Sequence, residues 1–133
     1  MTDEKISRKW LDRVAYDMDT AKAMLQTGRF IYAIFMCQQS LEKCFKALIA
    51  HQGKEVVPIH NLRRLAELAK VLHELDDSAL MKLDFLSSYY INARYKEDLD
   101  QLSKGVSDSV VQDFIQFSEG LITWLCQRMK GSE

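Results

Sequence analysis

The sequence predicts an all-α fold, an up-and-down bundle of four to five helices. Three observations carry that prediction. Apolar residues recur three and four positions apart along almost the whole chain, only one proline and five glycines interrupt it, and two of those glycines fall where long helices should stop. A length of 133 residues suits one core, since single domains most often run about 100 to 150 residues. Residues 1–133 are therefore expected to form one domain, with a core from about residue 6 to residue 128.

The first helix is expected from about Glu4 to Thr27, with Ile6, Trp10, Val14, Met18, Ala21 and Leu25 on one stripe and Gly28 as a left-handed cap. A second runs from about Arg29 to Gln52 and is closed by Gly53. Its first half, Phe30 to Cys37, is apolar on every side and in isolation would also suit a buried strand. The spacing of Ile34, Cys37, Leu41, Phe45, Leu48 and Ile49 continues well past strand length and decides for helix. An all-round apolar helix belongs at the centre of a bundle or in a subunit interface.

Gly53 to His60, with Pro58, is a loop, and a third helix is expected from about Asn61 to Glu74 with Leu62, Leu65, Leu68 and Leu72 inward. Asp76 or Asp77 caps a fourth helix that continues through Tyr90. The stretch from Asn92 to Gly105 is charged and less periodic. Ser107 caps the last helix, which carries Val111, Phe114, Ile115, Leu121, Ile122, Leu125 and Met129 on its apolar side.

Composition narrows the function classes. With 47% hydrophobic and 28% charged residues the chain is globular. Eighteen Lys and Arg against nineteen Asp and Glu leave a net charge of -1, which provides no global basic field for a nucleic-acid backbone and disfavours nonspecific DNA binding, though it leaves room for a local basic patch. No sequence-specific DNA partner is expected either. Cys37, Cys44 and Cys126 have no CxxC pair and apolar neighbours, which suits small buried hydrophobes in a reducing cytoplasm better than a disulfide framework or a zinc site. His51 and His73 lack ligand-spaced companions, so neither a metal nor a cofactor is expected. The start of the chain lacks an apolar signal core, and no apolar run approaches the roughly 20 residues that span a bilayer.

Chemistry concentrates in two segments. From Cys37 to Lys46, amides and opposite charges interrupt the most hydrophobic helix, and Gln39, Glu42, Lys43 and Lys46 share one face at helical spacing. That face is either a solvated edge held by Glu–Lys pairs or a polar stripe that needs partners because it is buried. From Tyr89 to Tyr95 a helix ends and Arg94 stands between aromatics. Arg94 is suited to fork onto a phosphate beside a tyrosine that supports a base or sugar, or to pair with Glu42 and pack its stem on Tyr95. There is no nucleophile elbow, phosphate loop or dinucleotide glycine pattern.

The order of Trp10 and its neighbouring alanines, Tyr32-Ala33 leading into QQSLEKCFKALI, His60-Asn61-Leu62 and the Tyr-x-x-x-Ala-Arg-Tyr of Tyr89 to Tyr95 resembles the HEPN family (higher eukaryotes and prokaryotes nucleotide-binding) over residues 6 to 128. The resemblance implies a helical bundle that forms homodimers and handles nucleotides or RNA in a prokaryotic cytoplasm. Small members are often encoded beside a minimal nucleotidyltransferase and form a toxin-antitoxin pair with it. It implies a nucleotide- or partner-binding site drawn from Gln39, Glu42, Lys43, Lys46, His60, Arg94 and Tyr95.

Many HEPN proteins are metal-independent ribonucleases with a histidine four to six positions after the arginine. After Arg94 this chain reads Tyr95-Lys96-Glu97-Asp98-Leu99-Asp100-Gln101, without that histidine. It is closer to the Ala-Arg-Tyr-Pro-Asp branch, of which Ala93, Arg94 and Tyr95 are present and Lys96 and Glu97 replace the rest. The Arg-x4-Ala-x-Tyr pattern that a partner adenylylates is absent, because Leu99 stands at the alanine position. Noncatalytic nucleotide or partner binding is thus the leading expectation. The alternatives are an endoribonuclease toxin in which Arg94 works with His60, Glu42 or Lys43 as an unorthodox acid-base group, and a structural dimerisation module without a ligand.

Overall fold

The computed structural model of the chain describes residues 2–92 and 105–130, of which 90–92 are described by backbone alone. Five α-helices and one 3-10 turn make up the described architecture: α1 Asp3–Gln26, α2 Phe30–His51, α3 Leu62–Leu68, the turn Leu72–Glu74, α4 Asp77–Asn92 and α5 Asp108–Lys130.

Local chemistry sets the helix ends. Thr2 accepts from the Lys5 amide at 3.3 Å and starts α1. At the other end Gly28 takes φ 75°, the Arg29 amide reaches back to Met24 O at 2.8 Å and the Gly28 amide to Leu25 O at 3.1 Å. This Schellman closure satisfies last-turn carbonyls and reverses the chain into α2. Asn61 caps α3 through the Arg64 amide at 2.9 Å. Of the two aspartates before α4, Asp76 is the cap, accepting from the Ala79 amide at 2.8 Å, and Ser107 caps α5 as its sequence predicts, through the Val110 amide at 3.3 Å.

Helices α1 and α2 form an antiparallel hairpin. Ser7 Oγ donates to Ala47 O and Ser40 Oγ to Val14 O, each at 3.0 Å, so the paired positions run in opposite order. Helix α4 runs against α5, with Phe85 stacked on Phe114 at 4.8 Å between centroids and Lys82 over Phe117 at 5.1 Å. Ser7 also meets Met129 and Lys22 pairs with Glu119, so α1 and α5 are antiparallel too, and up-down-up-down order follows for α1, α2, α4 and α5, as expected. Helix α2 lies at the centre and packs against α1, α3, α4 and α5. Ile34, Cys37, Leu41, Cys44 and Phe45 on it are wholly buried, each large side chain contributing about 1.5–3 kcal/mol of transfer free energy.

The third helix is shorter than its apolar spacing predicts. It stops at Leu68, Lys70 adopts φ 63°, and the chain re-forms only the 3-10 turn before α4. Left-handed φ is a glycine signal in sequence, and here a lysine occupies it. Side chains from the loop after α2 stabilise the break: Gln52 Nε2 donates to Ala69 O at 2.8 Å and Lys54 Nζ to Leu68 O at 3.1 Å. Among the described residues no helix is long and apolar enough to cross a membrane.

Candidate functional site

The polar stripe of α2 is buried at Glu42 and Lys46 and half-buried at Gln39 and Lys43, which corrects the solvated-edge reading. Glu42 and Lys46 are each 5% exposed and Gln38 is 0% exposed. Charges withdrawn from water at this depth cost several kcal/mol each unless they are paired and hydrogen-bonded, and the geometry provides those partners.

Glu42 is the hub. Lys46 Nζ, one helical turn on, donates to its Oε2 at 3.0 Å, and the same ammonium stands 5.7 Å from the Trp10 ring centroid, a cation–π contact that further compensates its burial. The other carboxylate oxygen, Oε1, accepts from Gln38 Nε2 at 3.1 Å and meets His60 Nδ1 at 3.0 Å. An ionised carboxylate only accepts, so in this contact His60 Nδ1 is the donor.

His60 is held twice. Gln38 Nε2 also donates to the His60 carbonyl at 3.0 Å, while Gln38 Oε1 accepts from Gln39 Nε2 at 2.7 Å. Two residues on, the Leu62 amide donates to Ser87 Oγ at 3.0 Å, tying the start of α3 to α4. The imidazole is nonetheless 42% exposed beside a carboxylate that is 7% exposed. The arrangement is a fixed, half-open histidine in front of a buried polar brace.

The predicted residues divide accordingly. Gln39, Glu42, Lys46 and His60 come together; Lys43 does not join them. Its ammonium pairs with the Asp17 carboxylate of α1, with side chains 16% and 7% exposed. The pairing of Arg94 with Glu42, and Arg94 and Tyr95 as site residues, lie outside the described residues. Among the described residues Glu42 is occupied by Gln38, His60 and Lys46.

Three residues of this region were not among the sequence-predicted site residues. Gln38 carried a signal, an amide one turn before Glu42 on a face that the apolar spacing buries. Asp17 carried another, since it falls on the Val14–Met18–Ala21 stripe of α1, where an acid needs a partner. Trp10 looked like core, and its role as the ring beneath Lys46 has no signal in spacing alone.

The thiols also divide. Cys37 and Cys44 are buried, as expected, whereas Cys126 is only partly so; all three are unbridged. Burial pushes the Cys37 thiol up to about 12. Among the described residues no group of three or more His, Cys, Asp or Glu side chains converges as a metal centre would require.

Comparison with known structures shows the same fold in two proteins. TT1696 from Thermus thermophilus superposes with a TM-score of 0.74 at 19% identity over 91% of this chain and 96% of its own. ST0689, an archaeal HEPN homologue, superposes with a TM-score of 0.73 at 21% identity over 92% of this chain and 97% of its own. No curated protein matches the sequence. The family model of the HEPN domain matches residues 7–129, nearly the whole chain, and this protein therefore belongs to the HEPN domain family.

Proposed function

We propose that this chain is a noncatalytic, nucleotide-binding HEPN protein that works as a homodimer with a minimal nucleotidyltransferase, the two forming a toxin-antitoxin pair. The observation that carries the reading is the His60 imidazole, partly open to solvent, its ring held by Glu42 and its backbone carbonyl by Gln38. Such a group is suited to bind a phosphate oxygen or a sugar hydroxyl, because its orientation is set before any ligand arrives.

Gln39 supplies an amide at the same edge. Lys46 is too enclosed to reach a ligand and acts by fixing Glu42. Arg94 and Tyr95, which follow the last residue of α4 by two and three positions, are assigned the phosphate fork and the base or sugar platform. Tyr16, Tyr32 and Met81 are large apolar side chains left exposed on this chain, and they suit a second copy or the nucleotidyltransferase.

Calorimetric titration with each ribonucleoside triphosphate tests the binding, and pull-down from the native host tests the partner. Saturable binding weakened at least tenfold in His60→Ala, with retained helicity, is the expected result. Absence of both binding and a copurifying nucleotidyltransferase overturns the proposal.

A second reading has its own observation. A carboxylate-oriented histidine is a competent general acid-base group, so the Glu42–His60 pair is a replacement for the histidine missing after Arg94. Incubation with total RNA in EDTA separates the readings. Cleavage by the wild type that is lost in both Arg94→Ala and His60→Ala makes the protein a ribonuclease.

A further inference from the structure

On the bundle's α1–α5 side, two cavities of about 350 and about 300 Å³ meet at Leu11 and Cys126, which line both. The first is walled by Val14, Met18 and Ile122; the second adds Ser7, His51, Met129 and Lys130. None of these residues belongs to the Gln38–Glu42–Lys46–His60 cluster. Cys126 is partly open and Cys44 of α2 is wholly buried. One turn on from each, Ala47 O and Met129 Sδ both accept from Ser7 Oγ, at 3.0 and 3.5 Å, which brings this level of α2 and α5 together, and each thiol shifts the other's titration.

We infer that Cys126 and Cys44 form an oxidisable dithiol site that accepts a hydroperoxide from this groove, with Cys126 as the attacking thiol and Cys44 as the resolving one. The placement sorts the roles. Cys126 is the thiol that lines both cavities, whereas Cys44 is wholly buried and lines neither. Cys37 is buried elsewhere on α2 and lines neither cavity.

Electrostatics agrees with that division. The hydrogen bond from Cys44, with help from the Lys130 ammonium one turn on, brings Cys126 down to about 7, while burial opposes it. The same bond, and then burial, hold Cys44 well above the ordinary thiol range. Thiolate is the attacking species, so Cys126 reacts first.

In the first step the Cys126 sulfur attacks one oxygen of the hydroperoxide. An S–O bond forms as the O–O bond breaks, and the departing oxyanion leaves as water or alcohol with the proton that Cys126 gave up. Cys44 sulfur then attacks the sulfenic sulfur. The S–S bond forms, the S–O bond breaks, and hydroxide leaves as water with the Cys44 proton. Two thiols are oxidised to one disulfide and one hydroperoxide is reduced.

Treating the full chain with equimolar hydrogen peroxide, alkylating the remaining thiols and mapping non-reduced peptides by mass spectrometry tests the site. The expected product is an intramolecular Cys44–Cys126 peptide, reversed by dithiothreitol and retained in Cys37→Ser. Cys44→Ser should leave a Cys126 sulfenic acid trapped by dimedone, and Cys126→Ser, at the partly open position, should leave Cys44 reduced. A bridge through Cys37, a bridge between chains, or a Cys126 that stays reduced while glutathione in the same solution oxidises would each overturn the inference.

Discussion

Glu42 Oε1 lies 3.0 Å from His60 Nδ1, joining the middle of α2 to the residue before α3's cap across eighteen positions of sequence. The carboxylate that orients His60 also neutralises the buried Lys46. One side chain therefore serves both the stability of the bundle and the shape of the site, and the two roles separate by mutation.

Removing the carboxylate leaves an ammonium 6% exposed without its counter-charge. Breaking a buried pair in this way costs about 3–5 kcal/mol, whereas replacing both partners by apolar groups is often neutral. Glu42→Ala should lose stability in that range in urea denaturation. Adding Lys46→Met to it should restore at least half of the loss, and a double variant less stable than the single one would contradict the pairing.

The Asp17–Lys43 pair ties α1 to α2 at a shallower site, with Lys43 16% exposed. Hydrogen bonds to charged groups contribute about 1.5–3 kcal/mol net, so Asp17→Asn should destabilise by about 2 kcal/mol while leaving nucleotide binding at His60 unchanged. Denaturation and titration on the same preparation check both halves.

Backbone conformation gives two opposite expectations. A Cβ at Gly28 meets nothing within 4 Å, so Gly28→Ala pays only for φ 75°, about 1 kcal/mol. Lys70 already carries that penalty at φ 63°, and Lys70→Gly should stabilise by about 0.5 kcal/mol once the added freedom of the unfolded chain is subtracted. Thermal melts of the two variants should move in opposite directions.

Cys126, lowered to about 7, should show alkylation that rises with pH through neutrality, because only the thiolate attacks and its fraction grows as pH passes the thiol's own value. Cys37, pushed up to about 12 and buried, should stay unlabelled in the folded protein. Iodoacetamide kinetics followed by peptide mapping checks the order, and equal labelling of the two would contradict it.

The long helices and their order were legible because periodicity and caps agree at nearly every end, from Gly28 to Ser107. The truncation of α3 was not, because the signal for a left-handed stop is glycine and Lys70 is not one. The site was half legible. Helical spacing placed Glu42 and Lys46 together, but whether that face is solvated depends on what covers it, and Trp10 and the loop bearing His60 come from other parts of the chain. Lys43 shares the same spacing yet turns to Asp17, a choice that only the α1–α2 packing makes. Gln38 carried its signal one turn before Glu42, but the carboxylate and the His60 carbonyl that it bonds are brought to it only by the fold.

Side-chain NMR of histidine in isotopically labelled protein, recorded while ATP and then the other ribonucleoside triphosphates are added to millimolar concentration, tests the central claim most directly. The account predicts that the His60 imidazole signals move saturably while those of the exposed His73 stay in place, and that Glu42→Gln weakens the response. Signals of His60 that remain fixed with all four nucleotides, or that move no more than those of His73, would contradict it.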